Sequence, residues 1–488
     1  MTATTHPPVA PDRRRWFALA LLCGAFFMVI LDAAIVTVAL PTIQRELGFS
    51  AQTLQWVVSA YALTFAGLLL LGGRAADLLG RRRVFMFGIV IFTAASLLCG
   101  LAWSPATLIG ARALQGVGAA IMTPTALSII MTTFAEGPER SKALGIWGSL
   151  GGIGATAAWL IGGLLVDGPG WQWIFLINVP IGVAAFALCP YLLNESRNVT
   201  TRRSFDPAGA LTITAALGLL VYAVVEAPTR GWHNGWTIAL LASSVALFGS
   251  FALIESRHPA PLIRLQIFQS RTLVGANSVM LIFGAIVYGL PFILTLYSQQ
   301  VLGDSAVRFG LTSIVFPIGA ALGSISGQAL TLKRGFRSVA TAGLALMAVG
   351  ALLLAHVSVG GSYLGDIFFG LLVFGPGVGL TFVTASIAAL AGVNDHEAGL
   401  ASGLSNTSFQ IGAALGVATV ATVSLTRTND FFAANPHATK LLGLTEGFQS
   451  AFLACGLIAA AGAVIALALL GNQQPVTAIA AAELPSSS

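Results

Sequence analysis

Long apolar stretches separated by short polar loops fill almost the whole chain. A membrane-crossing helix needs about 20 predominantly apolar residues, and fourteen stretches bounded by charges, glycine or proline approach that length. They lie near residues 16–40, 54–73, 84–101, 105–132, 141–166, 172–193, 207–225, 236–256, 272–300, 309–331, 338–356, 361–391, 399–427 and 448–471. The pattern predicts an all-α integral membrane protein with fourteen transmembrane helices and no sizeable soluble domain.

Composition agrees with a chain that lies in a lipid bilayer. Of its 488 residues 56% are apolar and only 9% are charged, whereas about a quarter of a soluble protein is charged. The net charge of +6 is typical of the basic cytoplasmic loops of membrane proteins, so we expect no nucleic-acid partner. The four cysteines lie in apolar runs without C-x-x-C spacing, which predicts neither a disulfide framework nor a metal site.

The basic residues also predict the orientation. Eighteen of the 24 lysines and arginines fall in loops on one side of the predicted spans, and five fall on the other. Cytoplasmic loops carry the excess of lysine and arginine. We therefore expect a multi-pass protein of the plasma (inner) membrane with both termini in the cytoplasm. The first apolar run follows three arginines as in a secretory signal, but it is too long for one and is interpreted as a retained helix.

An internal repeat becomes visible when the chain is shifted by 255 residues. Without a gap, Gly72, Gly80 and Arg82 then fall on Gly327, Gly335 and Arg337. Two six-helix bundles related by a pseudo-twofold axis, as in transporters built from parallel repeats, would explain the match. The predicted parts are a cytoplasmic tail (1–15), a bundle (16–193), a linker with two inserted transmembrane helices (194–271), a second bundle (272–471) and a cytoplasmic tail (472–488).

The inserted helices are expected to lie outside the central pathway. Their acidic residues, Asp206, Glu226 and Glu255, fall at or just beyond the predicted helix ends. Water or lipid headgroups should solvate them there, so no buried proton site is expected in the insertion.

The turn between the second and third spans concentrates charge. Residues 72–83 read Gly-Gly-Arg-Ala-Ala-Asp-Leu-Leu-Gly-Arg-Arg-Arg. One acid, Asp77, among four arginines predicts an ion-pair latch between the bundles, and the alternative is a basic loop with an incidental acid. The candidate gating residues are Gly72, Asp77, Gly80, Arg81 and Arg82. Leu332 replaces Asp77 in the second repeat, so the latch is asymmetric.

Two ionisable residues lie clearly within predicted spans: Asp32 in the first and Arg112 in the fourth. Such groups are costly in the bilayer and are functional candidates by default. Burial favours the neutral form of a carboxyl group and a nearby cation favours the carboxylate, so a group subject to both can bind and release a proton. Asp32 is therefore the candidate proton site, and the alternative is a static pair that joins helices.

Polar and aromatic residues supply candidates for a substrate cavity. Asn277, Tyr288 and Gln299 recur every 11 residues, about three turns, and share one helix face. They could line a cavity or bond to neighbouring helices, whereas the aromatic candidates could simply pack in the core. The full set is Gln115, Trp147, Asn277, Tyr288, Gln299, Phe374, Asn406 and Gln410.

Several of these stretches resemble motifs of the major facilitator superfamily. The turn at 72–83 is similar to its G-x-L-a-D-r-x-G-r-k motif. Leu31–Pro41, Arg112–Gly118 and Trp171–Pro180 resemble the first-, fourth- and sixth-helix signatures of its 14-span drug:proton antiporters. The resemblance implies that Arg112 modulates, or responds to, the protonation of Asp32. One motif departs, because Ala158-Trp159 stands where the antiporters usually carry Gly-Pro.

The leading function is proton-coupled export of lipophilic or cationic, antibiotic-like compounds by alternating access, a multidrug resistance activity. No phosphate-binding loop for ATP occurs. A proton-coupled uptake carrier and a membrane sensor without transport remain alternatives, and an enzyme is not expected. The expected partners are a small-molecule substrate, protons and the bilayer, with no cofactor and a monomeric state.

Overall fold

The computed structural model describes residues 13–134, 137–196, 206–258, 270–391 and 398–471, and within these ranges it contains helices and no β-strand. The α-helices are α1 (Arg13–Leu47), α2 (Ala51–Leu54), α3 (Trp56–Leu79), α4 (Arg81–Gly100), α5 (Pro105–Thr133), α6 (Pro138–Asp167), α7 (Trp173–Leu176), α8 (Asn178–Leu192), α9 (Pro207–Arg230), α10 (Gly235–Arg257), α11 (Arg271–Gln300), α12 (Ala306–Thr312), α13 (Val315–Leu354), α14 (Phe369–Leu390), α15 (Ala398–Ala434) and α16 (Lys440–Leu469). A π-helical turn, Tyr363–Phe368, precedes α14. The predicted tails lie almost wholly outside the described residues.

In the part of the chain that the structure describes, twelve helical stretches are long and apolar enough to cross a membrane. The predicted all-helical membrane architecture is thus confirmed. The number of stretches is twelve, whereas the sequence predicted fourteen. One difference is that Ala306–Leu354 forms a single stretch of 49 residues, although its backbone breaks at Gly335, where φ is 78°. The other is α6 (Pro138–Asp167), in which only the shorter stretch Thr156–Asp167 is apolar by this measure among the residues that the structure fully describes.

Short polar side chains determine where many helices begin. Each accepts a hydrogen bond from a backbone N–H group in the first helical turn, which has no partner within the helix. These residues are Ser50, Ser104, Asp206, Asn234, Ser270, Ser305, Ser362 and Thr439. The polar residues between apolar runs therefore separate the spans and also fix their starts.

The backbone conformation repeats at the interval found in the sequence. Two glycine pairs related by 255 residues have positive φ angles, which favour glycine. They are Gly48 and Gly303, at 70° and 71°, and Gly80 and Gly335, at 107° and 78°. The break inside α13 therefore corresponds to the turn between α3 and α4.

The helices pack as two groups with a smaller pair beside them. We call residues 13–196 the N-terminal half, residues 270–391 and 398–471 the C-terminal half, and residues 206–258 the insert. Within the insert α10 packs chiefly on α9, and α9 also contacts α3 and α15. At Gly67 of α3 an added methyl group would overlap the Thr214 hydroxyl of α9. The insert thus lies against helices of both halves.

Candidate functional site

Two opposite charges lie together inside the N-terminal half. Asp32 is near the middle of α1, Arg112 is about two turns into α5, and both side chains are fully buried. The Arg112 Nη1 atom donates a hydrogen bond to the Asp32 Oδ2 atom at 2.6 Å. The two ionisable residues that sequence analysis placed at membrane depth are therefore in direct contact.

Three uncharged polar residues complete this group, which we call the polar centre. The Gln115 side-chain amide donates to the Asp32 Oδ1 atom at 2.8 Å and to the Ser96 hydroxyl at 2.7 Å. The Asn178 amide donates to the same Asp32 oxygen at 2.9 Å, and Arg112 donates to the Gln115 Oε1 atom at 2.6 Å. Both Asp32 oxygen atoms therefore accept hydrogen bonds from buried donors.

The local sequence places these side chains. Ser104 caps the start of α5 and Pro105 occupies its first turn, which fixes the register of the helix. Arg112 and Gln115, three residues apart, then share one face of α5. Asn178 is the first residue of α8, so its side chain enters the bundle where that helix begins.

Groups from other helices hold the remaining surfaces of the Arg112 guanidinium. Its Nε atom donates to the Val57 carbonyl oxygen at 3.0 Å. Its central carbon lies 4.3 Å from the centroid of the Tyr61 ring and 5.6 Å from that of Phe175. Guanidinium groups at such distances are attracted to aromatic faces. Arg112 thus stays in place through contacts that do not require the Asp32 charge.

Glycines bring the backbones of the N-terminal half close together around this group. An added methyl group at Gly72 would overlap the Ala120 carbonyl oxygen, and one at Gly116 would overlap the Tyr61 carbonyl oxygen. Gly72 was predicted as a gating residue, and in the structure it allows close contact between α3 and α5.

An isolated ion pair in a membrane is expensive unless further hydrogen bonds satisfy it. Here the described donors satisfy both carboxyl oxygens. Burial opposes the charged form of a carboxyl group and a paired guanidinium supports it. A carboxyl group held between two such effects exchanges a proton when either effect changes. The arrangement can therefore act as a proton switch.

The glycine- and arginine-rich turn is held by two acids. Asp77 near the end of α3 and Arg81 at the start of α4 form an ion pair at 2.8 Å, on either side of Gly80. The backbone N–H group of Arg82 donates to the Glu195 Oε1 atom at 3.1 Å. Sequence analysis treated Asp77 as the one acid here and missed Glu195, which follows α8. These contacts join the turn to the end of α8 within the same half.

Two of the predicted cavity residues bond to neighbouring backbone and side chains. The Asn277 amide donates to the Leu273 carbonyl oxygen at 2.8 Å and accepts from the Ser408 hydroxyl at 3.2 Å. The Gln299 amide donates to the Val38 carbonyl oxygen at 2.9 Å. The Asn277–Ser408 and Gln299–Val38 bonds join different helices, as the helix-joining alternative describes.

Other predicted cavity residues of the C-terminal half have fewer polar contacts. The Gln410 Oε1 atom is buried and has no hydrogen-bond partner among the residues described. Asn406 and Tyr288 are half-buried, and the Tyr288 ring packs edge-on against Phe409 with centroids 5.8 Å apart. These side chains offer an aromatic surface with uncharged polar groups.

The remaining aromatic candidates pack in the core. Trp147 stacks on Phe26 with centroids 4.0 Å apart and planes 9° from parallel. Phe374 is fully buried against Phe316, at 5.7 Å. Both observations favour the core-packing alternative.

Several contacts between the two halves lie at the side opposite to the arginine-rich turn, in addition to the packing of α3 against α15. The Gln300 amide donates to the Gln44 Oε1 atom at 2.8 Å, which joins α11 to α1. The Asp167 carboxylate at the end of α6 accepts from the backbone N–H group of Val307 in α12 at 2.9 Å. Trp159 of α6 stacks on Phe309 of α12, at 5.2 Å. The residue that replaces the expected proline thus takes part in this contact between the halves.

The acids of the insert are less exposed than predicted. Asp206 and Glu255 are 1% and 3% exposed, so the expectation that solvent surrounds them is wrong. Asp206 caps α9 by accepting from the backbone N–H group of Gly209 at 2.7 Å. Glu226 pairs with Arg230 at 2.7 Å. Helix capping and packing against the neighbouring helix, rather than solvent, account for the position of Asp206.

Sequence analysis did not assign Ser96, Asn178 or Tyr61 to the site. Asn178 offered a usable signal, since it is an amide at the start of an apolar run. Ser96 and Tyr61 offered little, because small hydroxyl residues and single aromatic residues are common in membrane helices. Only the packing of α3, α4 and α8 around Asp32 brings the three together.

Comparison with known proteins decides the family. The sequence profile of the Major Facilitator Superfamily matches residues 22–417. The chain belongs to this superfamily. It is therefore a membrane transporter and not an enzyme.

Similar proteins include several linked to antibiotics. The puromycin resistance protein of Streptomyces alboniger is 38% identical over 90% of this chain and 87% of its own length. The cephamycin export protein of Amycolatopsis lactamdurans is 38% identical over 83% and 84%. The probable actinorhodin transporter of Streptomyces coelicolor is 36% identical over 86% and 74%.

Solved structures of transporters share the fold. An inward-facing bacterial homolog of the human lysosomal transporter Spinster aligns with a TM-score of 0.66 at 17% identity, covering 96% of this chain and 99% of the other. A nucleoside transporter aligns with a TM-score of 0.65 at 13% identity, covering 93% and 100%. At such identities the likeness concerns the fold alone.

Proposed function

We propose that this transporter exports lipophilic or cationic, antibiotic-like compounds in exchange for protons. The observation that carries the proposal is the buried Asp32–Arg112 pair, with both carboxyl oxygens satisfied by protein donors. A membrane protein has few structural reasons to bury two charges in its interior, and such residues generally mark ion or substrate pathways. The antibiotic resistance and export named for similar proteins supports the substrate class.

In this mechanism Asp32 binds and releases the coupling proton. Arg112 favours the carboxylate by pairing with it, and Gln115 and Asn178 donate further hydrogen bonds to the same group. When Asp32 takes up a proton, Arg112 loses its counter-charge. The free energies of the protonated and deprotonated forms of Asp32 then depend on how the helices pack around the guanidinium group. This dependence links protonation to conformation.

Alternating access requires that contacts on one side break while those on the other side form. In the present conformation Gln299 with Val38, and Asp167 with Val307, join the halves away from the arginine-rich turn. Export requires these contacts to open. Asp77 and Arg81, with Gly72, Gly80 and Arg82, would control the opposite gate.

The substrate would contact the C-terminal half. Gln410 has a buried oxygen without a described partner, and Tyr288 presents its ring beside Phe409. Aromatic faces and a small number of polar groups suit bulky lipophilic compounds and cations. Sugars, which need many directed hydrogen bonds, fit such a surface poorly.

We further propose fourteen crossings, with the insert forming two of them. The Gly335 break matches the Gly80 turn at the repeat interval, which supports two crossings within Ala306–Leu354. The 30-residue length of α6 supports one more. On this topology both termini are cytoplasmic, and residues 16–193 and 272–471 form the two bundles. We also propose that the chain is a monomer and that it lies in the plasma membrane.

Proton coupling supplies enough energy for useful export. One charge that crosses a potential of about 100 mV provides roughly 2.3 kcal/mol. At about 1.4 kcal/mol for each tenfold step, this supports a substrate ratio of about fifty.

Inside-out bacterial membrane vesicles test this proposal, with ethidium and puromycin as probes. Respiration acidifies their interior, so an exporter should accumulate a probe and a protonophore should release it. Asp32→Asn should abolish accumulation, whereas Glu446→Gln, which alters an exposed ion pair with Arg427, should match the wild type. Accumulation by right-side-out vesicles instead would establish an uptake carrier and contradict the proposal.

A further inference from the structure

Tyr61 is a buried polar side chain of α3 for which hydrogen bonding gives no explanation. It is 2% exposed, and its hydroxyl group has no hydrogen-bond partner among the described residues. A buried hydroxyl group without a partner is unfavourable. The Arg112 guanidinium lies over the face of the Tyr61 ring, 4.3 Å from the ring centroid.

The surrounding helices fix this ring in position. It packs in a T-shaped arrangement with Phe65, with centroids 5.8 Å apart and planes at 75°. The Tyr61 backbone lies against Gly116 of α5, where an added methyl group would overlap the Tyr61 carbonyl oxygen. Gly116 is four residues from Arg112 and so lies on the same face of α5. The helix contact that sets the position of Tyr61 therefore sets the position of Arg112 as well.

The electrostatics of the ring distinguish the two states of Asp32. The face of an aromatic ring is electronegative, so it attracts a guanidinium. When Asp32 is charged, the carboxylate and the ring face compete for the Arg112 guanidinium, which the carboxylate holds at 2.6 Å. When Asp32 is protonated, the attraction of the carboxylate is lost, and the guanidinium can move closer to the ring face. The ring therefore stabilises the proton-loaded state more than the proton-free state.

We propose that Tyr61 is a positioning residue of the proton cycle, whose ring face holds the Arg112 guanidinium while Asp32 is protonated. The inference rests on the proposed role of Asp32 as the proton site. In the described part of the chain, the other ionisable groups near the pair are Cys99 of α4, whose thiol lies 3.7 Å from the Gln115 Oε1 atom, and Tyr288 of α11. They are unchanged in the variants below and so act equally in each.

Infrared spectroscopy of the protein in liposomes measures the protonation of Asp32 without a substrate. The carboxylic acid band that disappears in Asp32→Asn reports this group, and its pH midpoint is compared between variants. Tyr61→Phe keeps the ring and should leave the midpoint within about 0.2 pH units of the wild type. Tyr61→Met removes the ring at similar volume and should lower the midpoint by up to about 0.5 to 1 pH unit, because the full energy of a cation–π contact is the upper limit of the difference between the two states.

A second series protects the test against misfolding of Tyr61→Met. Phenylalanine with increasing numbers of ring fluorines at position 61 keeps the size of the ring and weakens its negative face. The midpoint should fall with each added fluorine, because the attraction to Arg112 weakens while packing stays nearly constant.

Three outcomes would overturn the inference. A midpoint that does not respond to the fluorine series rules out the ring face, and a shift in Tyr61→Phe as large as in Tyr61→Met assigns the effect to the hydroxyl group. Both leave the proton role of Asp32 intact. The absence of any Asp32-dependent band between about pH 4 and pH 9 in the wild type would overturn the inference together with the proposed proton site.

Discussion

The two halves of the molecule share a backbone plan but differ in chemistry. The positive-φ glycines recur at the same interval in both, so the scaffold is repeated. In the N-terminal half, hydrogen bonds join Asp32 and Arg112 to three buried polar side chains. In the C-terminal half the described ion pairs involve the exposed arginines Arg308 and Arg427. Among the residues that the structure describes, the repeated fold therefore carries an ion pair with both side chains fully buried in one copy only.

This difference separates two tasks that a coupled transporter must perform. A site that binds a proton needs a charge whose solvation can change, and we propose that the polar centre provides it. A site that binds varied lipophilic compounds needs adaptable aromatic surface with little fixed charge, as around Tyr288 and Phe409. We expect variants in the two halves to affect different properties, and the following experiments test that separation.

The largest effect is expected on removal of Arg112. Arg112→Leu leaves the Asp32 carboxyl group buried without its cation, and breaking such a pair typically costs about 3–5 kcal/mol. Proton-driven export should be lost, and thermal unfolding should show a clear loss of stability. The double variant Asp32→Asn with Arg112→Leu should recover part of that stability.

The control lies in the other half. Arg308 is 69% exposed in its pair with Asp304, so Arg308→Leu should cost less than about 1 kcal/mol and should keep export. Equal losses of stability in the two variants would remove the distinction between a buried and a surface pair.

Two glutamines give the next contrast. Gln115 bonds to Asp32, Ser96 and Arg112, whereas the Gln410 oxygen is buried without a described partner. Gln115→Leu should lower stability by about 1.5–3 kcal/mol, because it removes hydrogen bonds to charged groups, and should weaken coupling. Gln410→Leu should preserve both stability and coupling, and it should change the relative resistance to puromycin and ethidium. Resistance profiles and pH-dependent transport measure the two properties, and a coupling defect in Gln410→Leu would place proton handling in both halves.

Two glycines of α5 test how closely the N-terminal half must pack. A methyl group at Gly116 overlaps the Tyr61 backbone, whereas none of the surrounding atoms lies within 4 Å of one at Gly110. Gly116→Ala should destabilise the protein by about 1–3 kcal/mol through overpacking. Gly110→Ala should be neutral or slightly stabilising, because alanine favours helix. Thermal unfolding measures the stabilities of the two variants, and equal stability would contradict the tight contact between α3 and α5.

The gating turn should produce a smaller effect. Asp77 pairs with Arg81 at a partly exposed position, where an ion pair contributes about 0.5–1 kcal/mol at most. Asp77→Asn should slow turnover by about two- to fivefold and leave substrate binding in detergent nearly unchanged. Unchanged turnover would favour the alternative of a basic loop with an incidental acid.

The insert should contribute least to coupling. Amides at Asp206, Glu226 and Glu255 together should leave the proton dependence of export unchanged, since asparagine can still cap α9. Because Asp206 and Glu255 are buried, a modest loss of stability is compatible with this expectation. Loss of coupling in a folded triple variant would place an ion pathway in the insert.

Sequence alone identified the parts of the site that stand out against an apolar background. Asp32 and Arg112 are charges within long apolar runs, and helical spacing placed Gln115 beside Arg112. The same pattern could not show that Asn178 and Ser96 bond to the centre, or that Tyr61 covers Arg112, because these contacts depend on helix packing. It also misjudged Asp206 and Glu255, since position at a helix end does not reveal what packs against that end.

Proton release on substrate binding tests the central claim most directly. Purified protein in weakly buffered detergent is mixed with ethidium or puromycin, whichever the vesicles accumulate, and the pH change is converted to protons released for each chain. We expect the wild type to release about one proton, as exchange at a single carboxyl group requires, and Asp32→Asn to release none while still binding the compound. Equal release by both proteins would show that Asp32 is not the group that exchanges protons for substrate.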